Sequence, residues 1–158
     1  TCALPICVDF RSNYSFNSTL AGAEEADRLI LIGTNPRHEA AILNARLRKA
    51  YLGGDLDVAL VGEKFDSTFG YEHLGADLKS VKDLFASGSK WAKELEGAKR
   101  PMIIVGSAVA DHADGPAVMA AVAKFVEKNS KTFITDEWTG YNVLQRVSVL
   151  CLQSCVEP

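Results

Sequence analysis

Three short runs of purely apolar residues each stop on a glycine. They are Leu29-Ile30-Leu31-Ile32 before Gly33, Val58-Ala59-Leu60-Val61 before Gly62, and Met102-Ile103-Ile104-Val105 before Gly106. Four apolar residues in a row, with no polar alternation, suit a strand buried on both faces, and such strands belong to parallel sheets covered by helices on each side. A glycine after each run lets the chain turn sharply out of the sheet. A fourth run, Thr132–Thr135, is expected to add another strand.

The segments between the runs read as helices. From Pro36 to Leu52, residues Ala40, Leu43, Leu47, Ala50 and Tyr51 recur at the spacing of one helical face, and Gly53-Gly54 supplies a stop. Leu78, Val81, Leu84 and Phe85 mark a short helix, and Trp91 and Leu95 a second. Asp114-Gly115-Pro116 starts a longer one, in which Val118, Met119, Val122, Phe125 and Val126 form a core stripe before Asn129 ends it. Glu63 to Asp77 reads as irregular, and Ser18 to Asp27 as a short helix on the sheet. The expected fold is a three-layer, Rossmann-like α/β domain: a parallel sheet with helices on both faces and right-handed crossovers.

Within this frame Gly33-Thr34-Asn35-Pro36-Arg37-His38-Glu39-Ala40-Ala41-Ile42-Leu43 is the stretch that bears on function. Asn35 is a good N-cap and Pro36 suits the first helical position, so free N–H groups are expected to point at the end of the sheet, where open α/β folds bind ligands. Arg37, Asn44 and Arg48 are expected on one helix face, with Arg46 on another. That face could hold a phosphate or carboxylate; a solvated or subunit-contacting face is the favoured reading. Neither G-x-G-x-x-G nor a P-loop follows any run, and Gly106-Ser107-Ala108 is only a faint echo of either.

His38, His73 and His112 are too scattered for a triad or metal motif and read as surface or capping residues. Asp111 and Asp114 flank His112 at the ligand end of the third run, where turn and cap chemistry is the stronger explanation. Glu24, Glu25 and Asp27 read as a solvated helix face. No catalytic constellation and no metal motif emerges. Cys2, Cys7, Cys151 and Cys155 crowd the two ends at spacings foreign to zinc sites, and reduced thiols are expected. A net charge of −3 gives no basic footprint for nucleic acid. Apolar runs of about five residues fall far short of the roughly twenty that cross a bilayer. Neither a secretory signal nor a transit peptide is read in this sequence.

Several separated motifs occur in an order that identifies a family. Arg11-Ser12-Asn13-Tyr14, Ala21 through Asp27, the Gly33 stretch continuing through Asn44–Ala50, Asp57–Gly62, His73-Leu74-Gly75, Arg100–Gly106 and Trp138 through Arg146 together resemble the large 75 kDa iron–sulfur subunits of respiratory complex I, NADH:ubiquinone oxidoreductase. The resemblance runs from Val8 to Val147. It implies a subunit of an assembly that passes electrons from NADH to quinone through 2Fe-2S and 4Fe-4S clusters, coupled to proton pumping. Those clusters belong to a cysteine-rich N-terminal part of the family not contained in this chain.

This stretch is similar to the family's C-terminal region, which shares its fold with molybdopterin-dependent oxidoreductases. In those enzymes a G-x-N-P turn lies beside the nucleotide-linked pterin; the complex I subunits generally keep the fold and not the cofactor. The resemblance therefore implies a vestigial turn at Gly33, Thr34, Asn35, Pro36 and Arg37, with no catalytic, cofactor-binding or metal residue here. It also implies other peripheral-arm subunits as partners, no membrane insertion, and a place on the matrix side of the mitochondrial inner membrane, or on the cytoplasmic face in a bacterium.

The ends depart from the pattern. Ala3-Leu4-Pro5-Ile6 can be encoded by GCTCTTCCGATC, which resembles a sequencing-adapter end. The expected division is a non-native segment at 1–7, a partial molybdopterin-oxidoreductase-like domain at 8–147, and a foreign tail at 148–158. Two rivals are a true molybdopterin enzyme such as a formate dehydrogenase, with Gly33–Arg37 binding the cofactor, and a free-standing nucleotide-binding or regulatory α/β module. A domain cut from a larger sheet leaves apolar edges uncovered, so poor solubility in isolation is expected; a sharp cooperative unfolding transition contradicts it.

Overall fold

Each of the three glycine-ended runs is a strand: β1 (Arg28–Ile32), β2 (Asp57–Val61) and, fourth along the chain, β4 (Pro101–Gly106). The computed structural model describes residues 15–85, 89–110, 112–135 and 138–145. The four cysteines, Asp111 and the segments 1–7 and 148–158 lie outside the described residues. With β3 (Glu72–Gly75) and β5 (Tyr141–Leu144), the strands form one parallel sheet in the order β3-β2-β1-β4-β5.

β1 lies at the centre, with Ile30 opposite Ala59 on one side and Ile103 on the other. The two-residue period of a strand sends alternate side chains to opposite faces. Ile30, Ile32, Ala59, Val61, Ile103 and Val105 pack with Val81, Leu84, Trp91, Leu95, Val118, Val122 and Phe125. These come from α3 (Leu78–Phe85), α4 (Lys90–Gly97) and α6 (Gly115–Lys128). Leu29, Leu31, Val58, Leu60, Met102 and Ile104 meet Leu43, Leu47 and Ala50 of α2 (Ala41–Gly53) and Ala23 of a 3-10 turn (Gly22–Glu25) on the other face. Each fully buried Leu or Ile contributes about 1.5–3 kcal/mol, so both faces need their helices.

Several expectations are corrected. Thr132–Thr135 is no strand: Ser130–Phe133 forms one helical turn, α7, and Ile134 makes only an isolated bridge to Thr139. The Asn129 carbonyl accepts the Thr132 and Phe133 amides and curls the chain, although the Thr and Ile composition favours extension. The true last strand, Tyr141–Leu144, is interrupted by Asn142 and gives no apolar run. β3 lies inside the stretch expected to be irregular; it is an edge strand with partly exposed side chains, so it needs no apolar residues.

The expected helix from Pro36 breaks at Ala40 (φ −149°, ψ 72°) into α1 (Pro36–Glu39) and α2. Its stop holds, because Gly54 takes a left-handed conformation at φ 83° and its amide bonds the Tyr51 carbonyl. In α6 the stripe Val118, Val122, Phe125 and Val126 is buried, Met119 packs against the same core, and Asn129 caps the end.

Glu24, Glu25 and Asp27 are not a solvated face. Glu24 pairs with Arg46 and with Lys49 (2.6 Å), fastening the 3-10 turn to α2. Glu25 pairs with Arg100, and the Asp27 carboxylate accepts the Lys99 and Arg100 amides at 2.7 and 3.1 Å. Hydrogen bonds from Arg46 and then Lys49 hold the Glu24 carboxyl below its ordinary 4.5. A carboxyl lowered on folding stabilises the fold above its unfolded value, and that contribution is lost as pH falls through the lower folded value. Protection of the Ala23 and Glu24 amides from hydrogen exchange is expected to be weaker in Glu24→Gln than in wild type at pH 7. The difference should shrink as pH falls below about 4.5; a gap constant with pH contradicts the assignment.

Asn142 explains how the β5 edge is covered. Fully buried, its Oδ1 accepts the amides of Asn17 (2.7 Å) and Ser18 (2.8 Å), and its Nδ2 donates to Ser18 Oγ (2.9 Å). Phe16 bridges Asn142 in antiparallel sense alongside. Asn142→Leu strands these amides at a cost of about 1–3 kcal/mol, so Asn17 and Ser18 are expected to exchange about ten- to a hundredfold faster. Unchanged exchange refutes the role.

Candidate functional site at the carboxyl edge of the sheet

The chain leaves β1 toward β2 on one side, while β4 lies on the other, so the sheet's switch point falls outside the carboxyl ends of β1 and β4. Gly33, Gly62 and Gly106 meet there. Gly33 is left-handed (φ 57°), and a Cβ on it would strike Val109 Cγ2 of α5 (Ser107–Ala110). A Cβ on Gly106 would overlap the Gly33 carbonyl oxygen and stand 2.9 Å from Thr34 Cβ. These glycines make room for one another and for α5. In dinucleotide sites the equivalent room is for a pyrophosphate.

Within the turn after Gly33, the amides of residues 37–40 are bonded internally. Asn35 Oδ1 accepts the Arg37 amide (3.2 Å), and its carbonyl accepts those of His38 (3.1 Å) and Glu39 (3.0 Å). Pro36 has no N–H, and the Ala40 amide bonds the Pro36 carbonyl. The expectation of free N–H groups at this helix start is therefore corrected for residues 37–40: Asn35 caps as anticipated but takes three amides itself. Thr34 is buried and donates to Glu39 Oε2 at 2.7 Å.

Arg37 does not share a face with Arg48. The break at Ala40 places Arg37 on α1, where Nη1 reaches the Asp66 carbonyl (2.9 Å) and carboxylate (2.5 Å). Asn44 is buried on α2 and donates to Thr68 Oγ1 (3.0 Å), while Arg48 is exposed. Tyr51, seven residues on, stacks obliquely on Phe69 at 6.1 Å. Arg37, Asn44 and Tyr51 thus grip the loop over residues 63–71, which Tyr71 closes by accepting the Phe65 amide (3.2 Å) and donating to its carbonyl (2.7 Å). Arg46 does point elsewhere, to Glu24.

Beside the glycines lies a cleft of about 410 Å³, lined in part by Glu63, Asp77, His112 and Asp114. A neighbouring hollow of about 380 Å³ adds Asn35, Glu39 and Lys64. Carboxylates outnumber cations along these walls, and an anion brought there meets like charge. His112 Nδ1 accepts the Asp114 amide (3.2 Å), a local turn bond, and the expectation of side-chain capping is corrected for Asp114, which holds the N-cap position of α6 but caps it with no side-chain hydrogen bond. His73 Nε2 lies 2.9 Å from the Gly62 carbonyl, and His38 is exposed on α1. Gly106-Ser107-Ala108 passes straight from β4 into α5. Glu63 and Asp77 were not singled out by sequence, since they lie in a stretch without periodicity. Among the described residues no group of three or more His, Cys, Asp or Glu could hold a metal ion.

This sheet order, with its glycine-lined switch point, defines a Rossmann-like α/β domain. Residues 3–153 match the molybdopterin oxidoreductase family, and the chain belongs to it. It is 54% identical over 141 residues to the mitochondrial NADH-ubiquinone oxidoreductase 78 kDa subunit of Neurospora crassa, covering 89% of this chain and 19% of that protein. It is 46% identical over 138 residues to the corresponding 78 kDa subunit of Candida albicans, covering 87% of this chain and 19% of that protein. A bacterial NADH-quinone oxidoreductase subunit, from Rickettsia bellii, is 42% identical over 134 residues, covering 85% of this chain and 19% of that protein. The chain thus spans about a fifth of the length of these relatives. A chain of the formyltransferase/hydrolase complex from Methylorubrum extorquens shares the fold at a TM-score of 0.55 and 14% identity, over 89% of this chain and 43% of that one.

Three features of the site oppose the phosphate-bearing nucleotide form of a pterin cofactor. The amides of residues 37–40 are taken, Arg37 is turned to Asp66, and the cleft is walled by Glu63, Asp77 and Asp114.

Proposed function

We propose that the chain is part of the large subunit of NADH–quinone oxidoreductase, respiratory complex I, and serves there as a cluster-free scaffold. The observation that carries this is 54% identity over 141 residues to a 78 kDa subunit of that enzyme. The complete subunit takes part in electron transfer from NADH to quinone, with 2Fe-2S and 4Fe-4S clusters in the part outside this chain. In this reading Gly33, Thr34, Asn35, Pro36 and Arg37 are an inherited cofactor turn, kept because it locks β1, α1 and the 63–71 loop together. The domain expected at residues 8–147 lies within the stretch 3–153 that matches the family.

Its partners are other subunits of the peripheral arm, and its place is the matrix side of the inner mitochondrial membrane or the cytoplasmic side of a bacterial one. No helix among the described residues is long and apolar enough to cross a membrane. The test is to build this segment into the full-length Neurospora subunit, in place of its own, and separate the respiratory complexes on a native gel. Comigration with NADH-dehydrogenase activity is expected. A segment that never enters an NADH-oxidising assembly contradicts the proposal.

A further inference from the structure

The helix α2 buries Leu43, Asn44, Leu47 and Ala50 against the sheet, yet its outer face is not simply polar. Ile42 and Leu52 are the most exposed large apolar side chains among the described residues, at 68% and 71%. With exposed Ala45 and Lys49 they follow the i, i+3, i+7, i+10 spacing of a helix–helix seam, about 15 Å long. A surface helix with only one partner keeps its apolar residues on one face, whereas this one carries them on two.

The charges bordering the seam indicate what covers it. Arg46, Arg48 and Lys49 all lie on α2, which contains no acidic residue. Glu24 pairs with Arg46 and Lys49, and Arg48 makes no ion pair among the described residues. Glu24 and, just past the helix end, exposed Asp55 stand against these three cations, and Arg48 is the one left without an ion pair on this face. Cations of this density are rare inside a domain core, whereas arginine beside aliphatic anchors is enriched at protein–protein interfaces.

We propose that α2 is a docking face for an amphipathic helix of a neighbouring subunit, apolar at heptad-spaced positions and flanked by a carboxylate that meets Arg48. The inference rests on the reading of the chain as part of a multisubunit oxidoreductase, and it names the surface and chemistry of one contact. Such a contact gains from burying Ile42 and Leu52, and its partner is selected by charge at the rim.

The test uses the full-length Neurospora subunit carrying this segment, in the assembled complex, with the photo-crosslinking residue benzoylphenylalanine at Ile42 or, separately, at Leu52. Illumination followed by mass spectrometry is expected to join each probe to one helix of another subunit that carries Asp or Glu beside the cross-linked residue. Arg48→Glu should cut the cross-link yield several-fold, and a reciprocal acid-to-lysine change in the partner should restore it. Cross-links confined to the subunit's own polypeptide, cross-links to a segment without acidic residues, or none at either position overturn the proposal. Comigration of the unsubstituted chimera with the complex is read first. Its failure sinks the complex I reading, and its success with no intersubunit cross-link sinks only the docking face.

Discussion

Replacing Gly106 by alanine is expected to open the carboxyl edge of the sheet at a large cost in stability. The new Cβ would overlap the Gly33 carbonyl oxygen, lie 3.0 Å from the Gly33 carbonyl carbon and press on Thr34. Two of the struck atoms are backbone in the central strand's exit turn, which cannot rotate aside as a side chain can. Overpacking a core costs about 1–3 kcal/mol, and this case belongs at the upper end. Against a typical total of about 5–15 kcal/mol, that is a large share. Amides of β1 and β4 are expected to exchange up to a hundredfold faster, and the soluble yield of the full-length subunit to fall. Gly97→Ala is the control, since nothing lies within 4 Å of its added Cβ. Equal effects from the two substitutions contradict the packing account.

The second large effect is expected at Trp138. Its ring is buried with Leu29, Leu31, Met102 and Ile104, its Nε1 donates to the Pro101 carbonyl at 3.0 Å, and the Arg100 guanidinium lies 5.8 Å from the ring centroid. Arg100 in turn pairs with Glu25, so one side chain ties the start of β4 to the 3-10 turn. Trp138→Ala is expected to cost about 3–5 kcal/mol as the cavity forms. Trp138→Phe retains most of the packing but leaves the Pro101 carbonyl unpaired, at about 1–3 kcal/mol. The order wild type, Phe, Ala in exchange protection of Met102 and Ile103 checks this. A phenylalanine variant as damaged as the alanine variant would place the weight on the hydrogen bond instead.

The centre of the fold was legible because burial on two faces leaves a strong trace. Leu29–Ile32, Val58–Val61 and Met102–Val105 had no choice but to be apolar throughout. The edges were not legible for the opposite reason. Glu72–Gly75 needs few apolar residues, and Asn142 is polar because it pairs with the backbone of residues 17 and 18 rather than with water. Thr132–Thr135 misled because residue type suggests extension there, whereas the capping carbonyl of Asn129 dictates a turn.

At the candidate site, the Asn35 cap could be read directly from Asn-Pro. The fate of the other amides could not, because it depends on the break at Ala40, which no residue type announces. The grip of Arg37, Asn44 and Tyr51 on residues 63–71 required knowing where that loop lies. The acidic wall from Glu63 and Asp77 comes from loops that meet only through the sheet order.

We infer that the turn from Gly33 to Arg37 serves packing and carries no cofactor. The direct test is molybdenum and pterin analysis of the purified full-length protein that contains this chain. Neither is expected in stoichiometric amount. One molybdenum and its pterin per chain, lost on Arg37→Ala, would contradict it.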